Sequence, residues 1–296
     1  MNMKKRQNVM EIVKKGQTRL KKSKINTARL EAEMLASHVL KCKRHHLYLN
    51  KDLAMDEEML MTYNRFIEDR CSGKPIQYII GYREFMGLKF HVDENVLIPR
   101  NDTEVLVEET IRLLPKDREI LICDMGTGSG AIGISIVHYM KEARAVLVDR
   151  VKKTLDVAQI NAIAHGVEDR VKLMESNLFS GLGKDHYGIF NAIVSNPPYI
   201  PTGEIDGLSI DVRNFEPRVA LDGGLDGLNF YRKLSSIAHK FLRPDGFISL
   251  EVGYDQAQDV IDILKKEGKY SRLYSKHDLS GIERVVIAYL SKDERK

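Results

Sequence analysis

Six residues, Glu119-Ile-Leu-Ile-Cys-Asp124, read as a buried strand and run straight into Met-Gly-Thr-Gly-Ser-Gly-Ala-Ile-Gly, followed by a helical pattern to about Met140. Gly126, Gly128 and Gly130 permit a turn so tight that a ligand can approach the main chain and the helix N-terminus. The next apolar run, Ala145 to Val148, ends in Asp149, 19 residues after Gly130. An acid at that place can hold both ribose hydroxyls of a nucleoside. Further strand patterns lie at Val171 to Met174, Asn191 to Val194, Phe247 to Val252 and Val285 to Leu290, with helical patterns near 152–165, 227–242 and 255–267 between them. Such alternation predicts a doubly wound α/β sheet. Ser271 to Lys276 and Arg284 to Leu290 are joined too closely for a helical crossover, so they are expected to pair antiparallel at one edge.

A second feature places chemistry at a strand end. The run Asn191 to Val194 breaks into Ser195-Asn-Pro-Pro-Tyr-Ile200, and two prolines force the backbone out of the sheet in one extended conformation. Asn196 is thereby held at the carboxyl edge, where open α/β folds place their ligands. Its side-chain carbonyl and the Pro197 carbonyl are two acceptors suited to a planar NH₂ group, and Tyr199 offers an aromatic surface to hold that plane. The plain alternative is a Pro-Pro turn after a core strand.

The glycine segment is ambiguous by itself, because Gly128-Ser-Gly130-Ala-Ile-Gly133 also fits the dinucleotide fingerprint G-x-G-x-x-G. Asp124, just before the glycines, can reach a cationic amino-acid moiety, whereas a pyrophosphate would be repelled. With an NH₂ acceptor on the fourth strand, this favours S-adenosylmethionine over NAD. A purely structural glycine turn is the remaining alternative.

Ahead of this lies a region of different character. Helical patterns cover Val9 to Lys22, a stretch from the Asn26/Thr27 cap candidates through Leu40, and a stretch from Asp56 to the stop at Gly73. Gly16 predicts a weakened or bent first helix. The net charge of +4 is uneven: residues 1–75 hold 17 Lys/Arg against 9 Asp/Glu, and the remainder 29 against 33. A basic first segment suits an acidic or nucleic-acid-bearing partner, or is simply a solvated helix face. From Pro75, Ile-Gln-Tyr-Ile-Ile and then Phe85, Phe90 and Val92 read as a hairpin or meander around Gly81 and Gly87. The three scattered cysteines, Cys42, Cys71 and Cys123, predict a reduced, cytoplasmic protein without disulfides. No apolar run approaches the roughly 20 residues of a membrane span, and no metal site is expected.

These residues resemble the HemK/PrmC-type glutamine methyltransferases that modify class I peptide-chain release factors. The resemblance spans nearly the whole chain: Pro75-Ile-Gln-Tyr78 with Gly81, Phe85 and Gly87; Leu97-Ile-Pro-Arg100 with Thr103-Glu104; Asp124 to Gly130; Ser195 to Ile200; and Glu216-Pro-Arg with Gly223-Gly-Leu-Asp-Gly227. Asn-Pro-Pro-Tyr alone is shared with adenine-amine DNA methyltransferases, and the other segments tighten the match. The resemblance implies an N-terminal helical substrate-recognition domain (1–74), a β-hairpin linker (75–98) and a seven-stranded Rossmann-like S-adenosylmethionine-dependent methyltransferase domain (99–296).

It further implies that Asp124, Gly126, Thr127, Gly128, Ser129, Gly130, Asp149, Asn177, Leu178 and Asn196 bind S-adenosylmethionine. Asn196, Pro197, Pro198 and Tyr199, with Arg100 and Glu216, would bind the glutamine of the release factor's Gly-Gly-Gln loop; Asn196, Pro197 and Tyr199 would be catalytic. A monomer with no nucleic-acid substrate and no membrane partner is expected. Methylation of adenine in DNA, or of a ribosomal-protein glutamine, remains the alternative. Two departures stand out. Pro99-Arg-Asn-Asp-Thr-Glu104 replaces the usual Pro-Arg-Pro-Glu-Thr-Glu, with helix capping expected to survive, and Leu178 stands where many relatives place Trp beside the adenine.

Overall fold

The computed structural model describes residues 8–50 and 53–292, within which the chain forms two compact units. The first runs up to Gly81 and takes in a later segment, Ile210–Phe215; the second comprises Tyr82–Ser209 and the chain from Glu216 onward.

In the first unit, α1 (Val9–Lys22), α2 (Ala28–Val39), the short α3 (His46–Leu49), α4 (Glu57–Cys71) and α5 (Ile76–Ile80) pack around Leu20, Leu35, Tyr63 and Ile67, all essentially inaccessible to solvent. Asn8 caps α1 and Asp56 caps α4, each side chain accepting from a first-turn N–H, Met10 and Met59 respectively, at 2.8 Å. Gly16 does not bend α1. It makes room for a neighbour: a Cβ there would stand 2.2 Å from the Tyr63 hydroxyl. Residues 76–80 differ from the strand reading. Pro75 sets the entry φ and Gly81, at φ +78°, closes the turn in the left-handed region, so this run, apolar but for Gln77, is a single helical turn. A short apolar run with no period satisfies helix and strand equally.

In the second unit a hairpin, β1 (Tyr82–Phe85) with β2 (Leu88–His91), precedes α6 (Glu104–Leu113). Then β3 (Ile120–Met125), α7 (Ala131–Tyr139), β4 (Ala143–Asp149), α8 (Lys152–Ala164), β5 (Val171–Glu175) and β6 (Phe190–Ser195) follow in alternation. The two-residue β7 (Ile200–Pro201) and β8 (Asp222–Gly224) pair with each other, and α9 is the Ile210–Phe215 segment between them. The chain closes with α10 (Asn229–Ala238), β9 (Leu242–Glu251), α11 (Ala257–Glu267), β10 (Tyr270–His277) and β11 (Glu283–Leu290).

Seven strands form one sheet in the order β10-β11-β9-β6-β3-β4-β5, with only β11 reversed, so β10 and β11 are the antiparallel edge pair. Two apolar clusters cover the two faces, one around Ile122, Ile134 and Leu147, the other around Ile193, Tyr231 and Val260. The chain order reverses between β3, which continues to β4, and β6, which lies on its other side. Ligands of open α/β sheets bind at such a switch point. Both the glycine segment and the Asn-Pro-Pro-Tyr segment leave the sheet there.

Candidate active site

The glycine segment emerges from β3 with Gly126, Gly128 and Gly130 at φ +72°, +57° and +81°. Asp124 lies beneath it and is wholly buried. Its Oδ2 accepts from Thr127 Oγ1 at 2.6 Å and from Gly133 N at 2.9 Å, tying the loop to the first turn of α7. Gly133 is the contact point: a Cβ there would meet Leu147 at 2.4 Å and Asp124 Oδ2 at 3.0 Å. Asn161 holds the loop from the side, its Nδ2 donating to Ser129 O at 2.8 Å. At the end of β4, Asp149 accepts from Gly128 N at 3.2 Å and Val151 N at 3.1 Å.

Burial pushes the Asp124 carboxyl up to about 6, against hydrogen bonds from Thr127 and Gly133 that favour its charge; Asp149 nearby adds to the rise. Asp149 is likewise raised by burial, its backbone hydrogen bonds opposing. Asp124 Oδ1 has no partner among the described residues. Asp124 therefore does not line the open space in front of the loop, and its visible work is to hold the loop from below.

That space is a cavity of about 630 Å³ lined by Met125, Gly126, Asp149, Ser176, Asn177, Leu178, Pro198 and, on its far side, Arg218, Asp222 and Phe230. It brings together the ends of β3, β4, β5 and β6. Leu178 lines it with φ at +53°, its carbonyl held by Ser176 Oγ at 2.7 Å.

Beside the cavity, Ser195 Oγ donates to Met125 O at 2.6 Å and links the end of β6 to the glycine segment. Asn196 donates through Nδ2 to Thr103 Oγ1 at 3.1 Å. The extended Pro197-Pro198-Tyr199 backbone is clamped from outside. Gln256 Nε2 donates to Tyr199 O at 3.0 Å, and Ile200 N donates to Leu221 O at 3.0 Å. Gly223 and Gly227 press against the same backbone, so a Cβ on Gly223 would stand 2.8 Å from Pro198 O and one on Gly227 2.3 Å from Tyr199 O. Gly227 also sits at φ +74°, where only glycine is unstrained. Burial raises the Tyr199 hydroxyl to about 12, with the Glu251 carboxylate adding to it. Arg100 and Glu216, 116 positions apart, form an ion pair at 2.7 Å with the Glu216 side chain almost fully buried.

Two features of this edge were not legible as such. Thr103 precedes α6, but its side chain makes no capping hydrogen bond; it turns to Asn196 instead. Glu251 closes β9 with 1% exposure, next to Thr103 and Arg284. The signal for Glu251 is a lone acid inside the strand pattern Phe247 to Val252. Among the described residues no cluster of three His, Cys, Asp or Glu could hold a metal ion, and no helix is long and apolar enough to cross a membrane.

The PrmC N-terminal domain model matches residues 11–81 and the methyltransferase small domain model matches 101–209. The release factor glutamine methyltransferase of Geobacter sulfurreducens is 42% identical over 262 residues, 88% of this chain and 89% of that protein. The chain belongs to the release factor glutamine methyltransferase family. Its relative of the same description in Clostridium acetobutylicum is 41% identical over 87% of this chain and 90% of that protein. Among solved structures, the hMettl16 catalytic domain superposes with a TM-score of 0.53 at 14% identity, covering 80% of this chain and 84% of that one. That likeness supports the seven-stranded methyltransferase fold alone.

Proposed function

We propose that this enzyme transfers a methyl group from S-adenosylmethionine to the side-chain amide nitrogen of the glutamine in the Gly-Gly-Gln motif of class I peptide-chain release factors, in the cytoplasm. The observation that carries the reading is Asn196 at a strand end, its Nδ2 donating to Thr103 Oγ1 and its Oδ1 without a hydrogen-bond partner among the described residues. The relatives' names supply the substrate class.

The residues present fit S-adenosylmethionine. Asp149 stands at the end of β4 with a carboxylate for two ribose hydroxyls, and Leu178 and Asn177 line the same cavity. Gly126, Thr127, Gly128, Ser129 and Gly130 would present main chain to the amino-acid end. The bound group supplies an electrophilic methyl on a sulfonium.

An amide nitrogen is a poor nucleophile, because its lone pair is delocalised into the carbonyl. The site answers this by position. Asn196 Oδ1 and the Pro197 carbonyl take the two hydrogens of the substrate NH₂, and Tyr199, fixed by Gln256 and Gly227, limits its rotation. Holding a nucleophile in one attack geometry lowers a barrier by on the order of 7 kcal/mol. No strong base is required beforehand, since the nitrogen becomes acidic as it alkylates; the two carbonyl oxygens stabilise the positive charge that develops. Arg100 and Glu216 brace the segment beside this site and are assigned to the substrate side. The helical unit, basic in its first helix, is assigned to recognition of the release factor.

The test is methyl transfer from labelled S-adenosylmethionine to a class I release factor, to the same factor with the Gly-Gly-Gln glutamine replaced, and to duplex DNA. Label on the intact factor alone supports the reading. Label on DNA would move the same acceptor chemistry to adenine and overturn it.

A further inference from the structure

Three apolar side chains that the mechanism does not use stand at the same sheet edge as Asn196. Leu225 and Tyr254 are 93% and 74% exposed and Leu279 is fully exposed, more than any other large apolar residue described in the second unit. Leu225 lies in the turn after β8, Tyr254 follows β9, and Leu279 lies in the turn that joins β10 to β11. β9 runs parallel to β6, and β11 antiparallel to both β9 and β10, so β9 and β10 end on the side where β6 releases Asn196.

The turns that carry them are fixed, and two of them converge. Gly227, two residues after Leu225, and Gln256, two after Tyr254, meet at one atom: a Cβ on Gly227 would stand 2.3 Å from Tyr199 O and 2.6 Å from Gln256 Nε2, and Gln256 donates to that same oxygen. Gln256 Oε1 accepts from Gly253 N at 3.1 Å and closes the Tyr254 turn. Asp278, beside Leu279, accepts from Ser280 N at 2.8 Å and Ile282 N at 3.0 Å, and Arg284 donates to its carboxylate and to Val252 O, each at 3.4 Å. One exposed leucine is ordinary. Three on turns already ordered in the free protein gain apolar burial on being covered, at little further cost in entropy.

We propose that Leu225, Tyr254 and Leu279 form the docking surface for apolar residues that flank the Gly-Gly-Gln loop of the release factor. This rests on the glutamine reading and adds to it what the acceptor site does not supply. Asn196 and Pro197 hold one amide, and the two glycines before it carry no side chain to recognise, so affinity has to come from residues on either side. The surface continuous with Tyr199 is where such residues arrive once the glutamine is seated. An aspartate adjoins each of the three, Asp226, Asp255 and Asp278, which disfavours a nucleic-acid backbone as the occupant.

The experiment compares the wild-type enzyme with Leu225→Ala, Tyr254→Ala, Leu279→Ala and the triple variant, and with Ile160→Ala/Ile163→Ala, which removes half-exposed apolar side chains from α8. It measures kcat and KM on the intact release factor, calorimetric affinity for the factor and for S-adenosylmethionine, and sedimentation of the enzyme alone. Each single alanine should raise KM about three- to tenfold and the triple variant about a hundredfold, with kcat at saturating factor and donor affinity at wild-type values. The α8 variant should change none of these. Wild-type KM and factor affinity in the triple variant would overturn the surface. A wild-type dimer that the triple variant dissolves would assign the surface to a second copy of the chain and overturn it equally. Factor binding that the triple variant abolishes, without methyl transfer by the wild type, would refute the glutamine reading and keep the surface; absence of both binding and transfer in the wild type would refute both.

Discussion

Two neighbouring strand ends solve opposite problems. On the proposed reading the loop after β3 has to yield to a ligand: three of its residues are glycines in left-handed conformations, and Asp124, Asn161 and Asp149 hold it alongside the backbone bonds of Gly126 and Thr127 to Val148 O. The segment after β6 has to refuse motion. Two prolines stiffen it, Gln256 and Leu221 bind its carbonyl and its amide, and Gly223 and Gly227 let a second backbone lie directly on it. The first grips through backbone that can adapt, and the second orients through backbone that cannot. A methyl transfer to a weak nucleophile needs both, because affinity for the donor does nothing to aim the acceptor.

The division can be broken most severely at Asn196. Asn196→Ala should lower kcat by about a thousandfold or more, the scale of losing one preorganised charge-stabilising group, while the dissociation constant for S-adenosylmethionine stays at the wild-type value. Parallel losses in rate and affinity, measured by single turnover and calorimetry, would merge the two regions into one.

Asp149→Asn should do the reverse. Donor affinity is expected to fall about ten- to a hundredfold, since charged hydrogen bonds to hydroxyls are replaced by neutral ones, with a smaller change in kcat at saturating donor. Gly227→Ala sharpens the rigid half. A Cβ 2.3 Å from Tyr199 O at φ +74° should cost about 1–3 kcal/mol in unfolding free energy and reduce kcat, with donor affinity spared.

The smallest effect concerns pH. Asp124, Asp149 and Glu251 all have raised folded-state pKa values, with Asp124 at about 6 and Glu251 at about 7. The stability Asp124 and Glu251 contribute is fully present below their unfolded values of about 4 and is lost as pH rises through about 6 to 7, and Asp149 acts in the same direction. The ligand-free protein should therefore melt a few degrees higher at pH 5 than at pH 7, and Asp124→Asn should narrow that difference. A melting temperature that falls from pH 7 to 5 would show that these acids are not buried as charges at neutrality.

How much of this was readable in advance follows the same divide. Gly126 to Gly130, Asp149 and the Asn196 to Tyr199 segment are contiguous or regularly spaced, and their backbone demands are local. The run Ile76 to Ile80, apolar but for Gln77, is too short to carry a period, and the helix is decided by Pro75 and Gly81 at its ends. Helix capping is expected of the segment Pro99 to Glu104, but the Thr103 hydroxyl makes no cap bond and serves a residue 93 positions away.

The sequence alone determined the α/β alternation, the antiparallel edge pair and the two strand ends where chemistry gathers, because each rests on residues within one turn or one strand of each other. Only the tertiary structure decided that Arg100 meets Glu216, that Gly227 lies against Tyr199, and that Thr103 meets Asn196. Those contacts depend on which strands become neighbours and in what register, and a buried polar group takes whatever partner that register brings within reach.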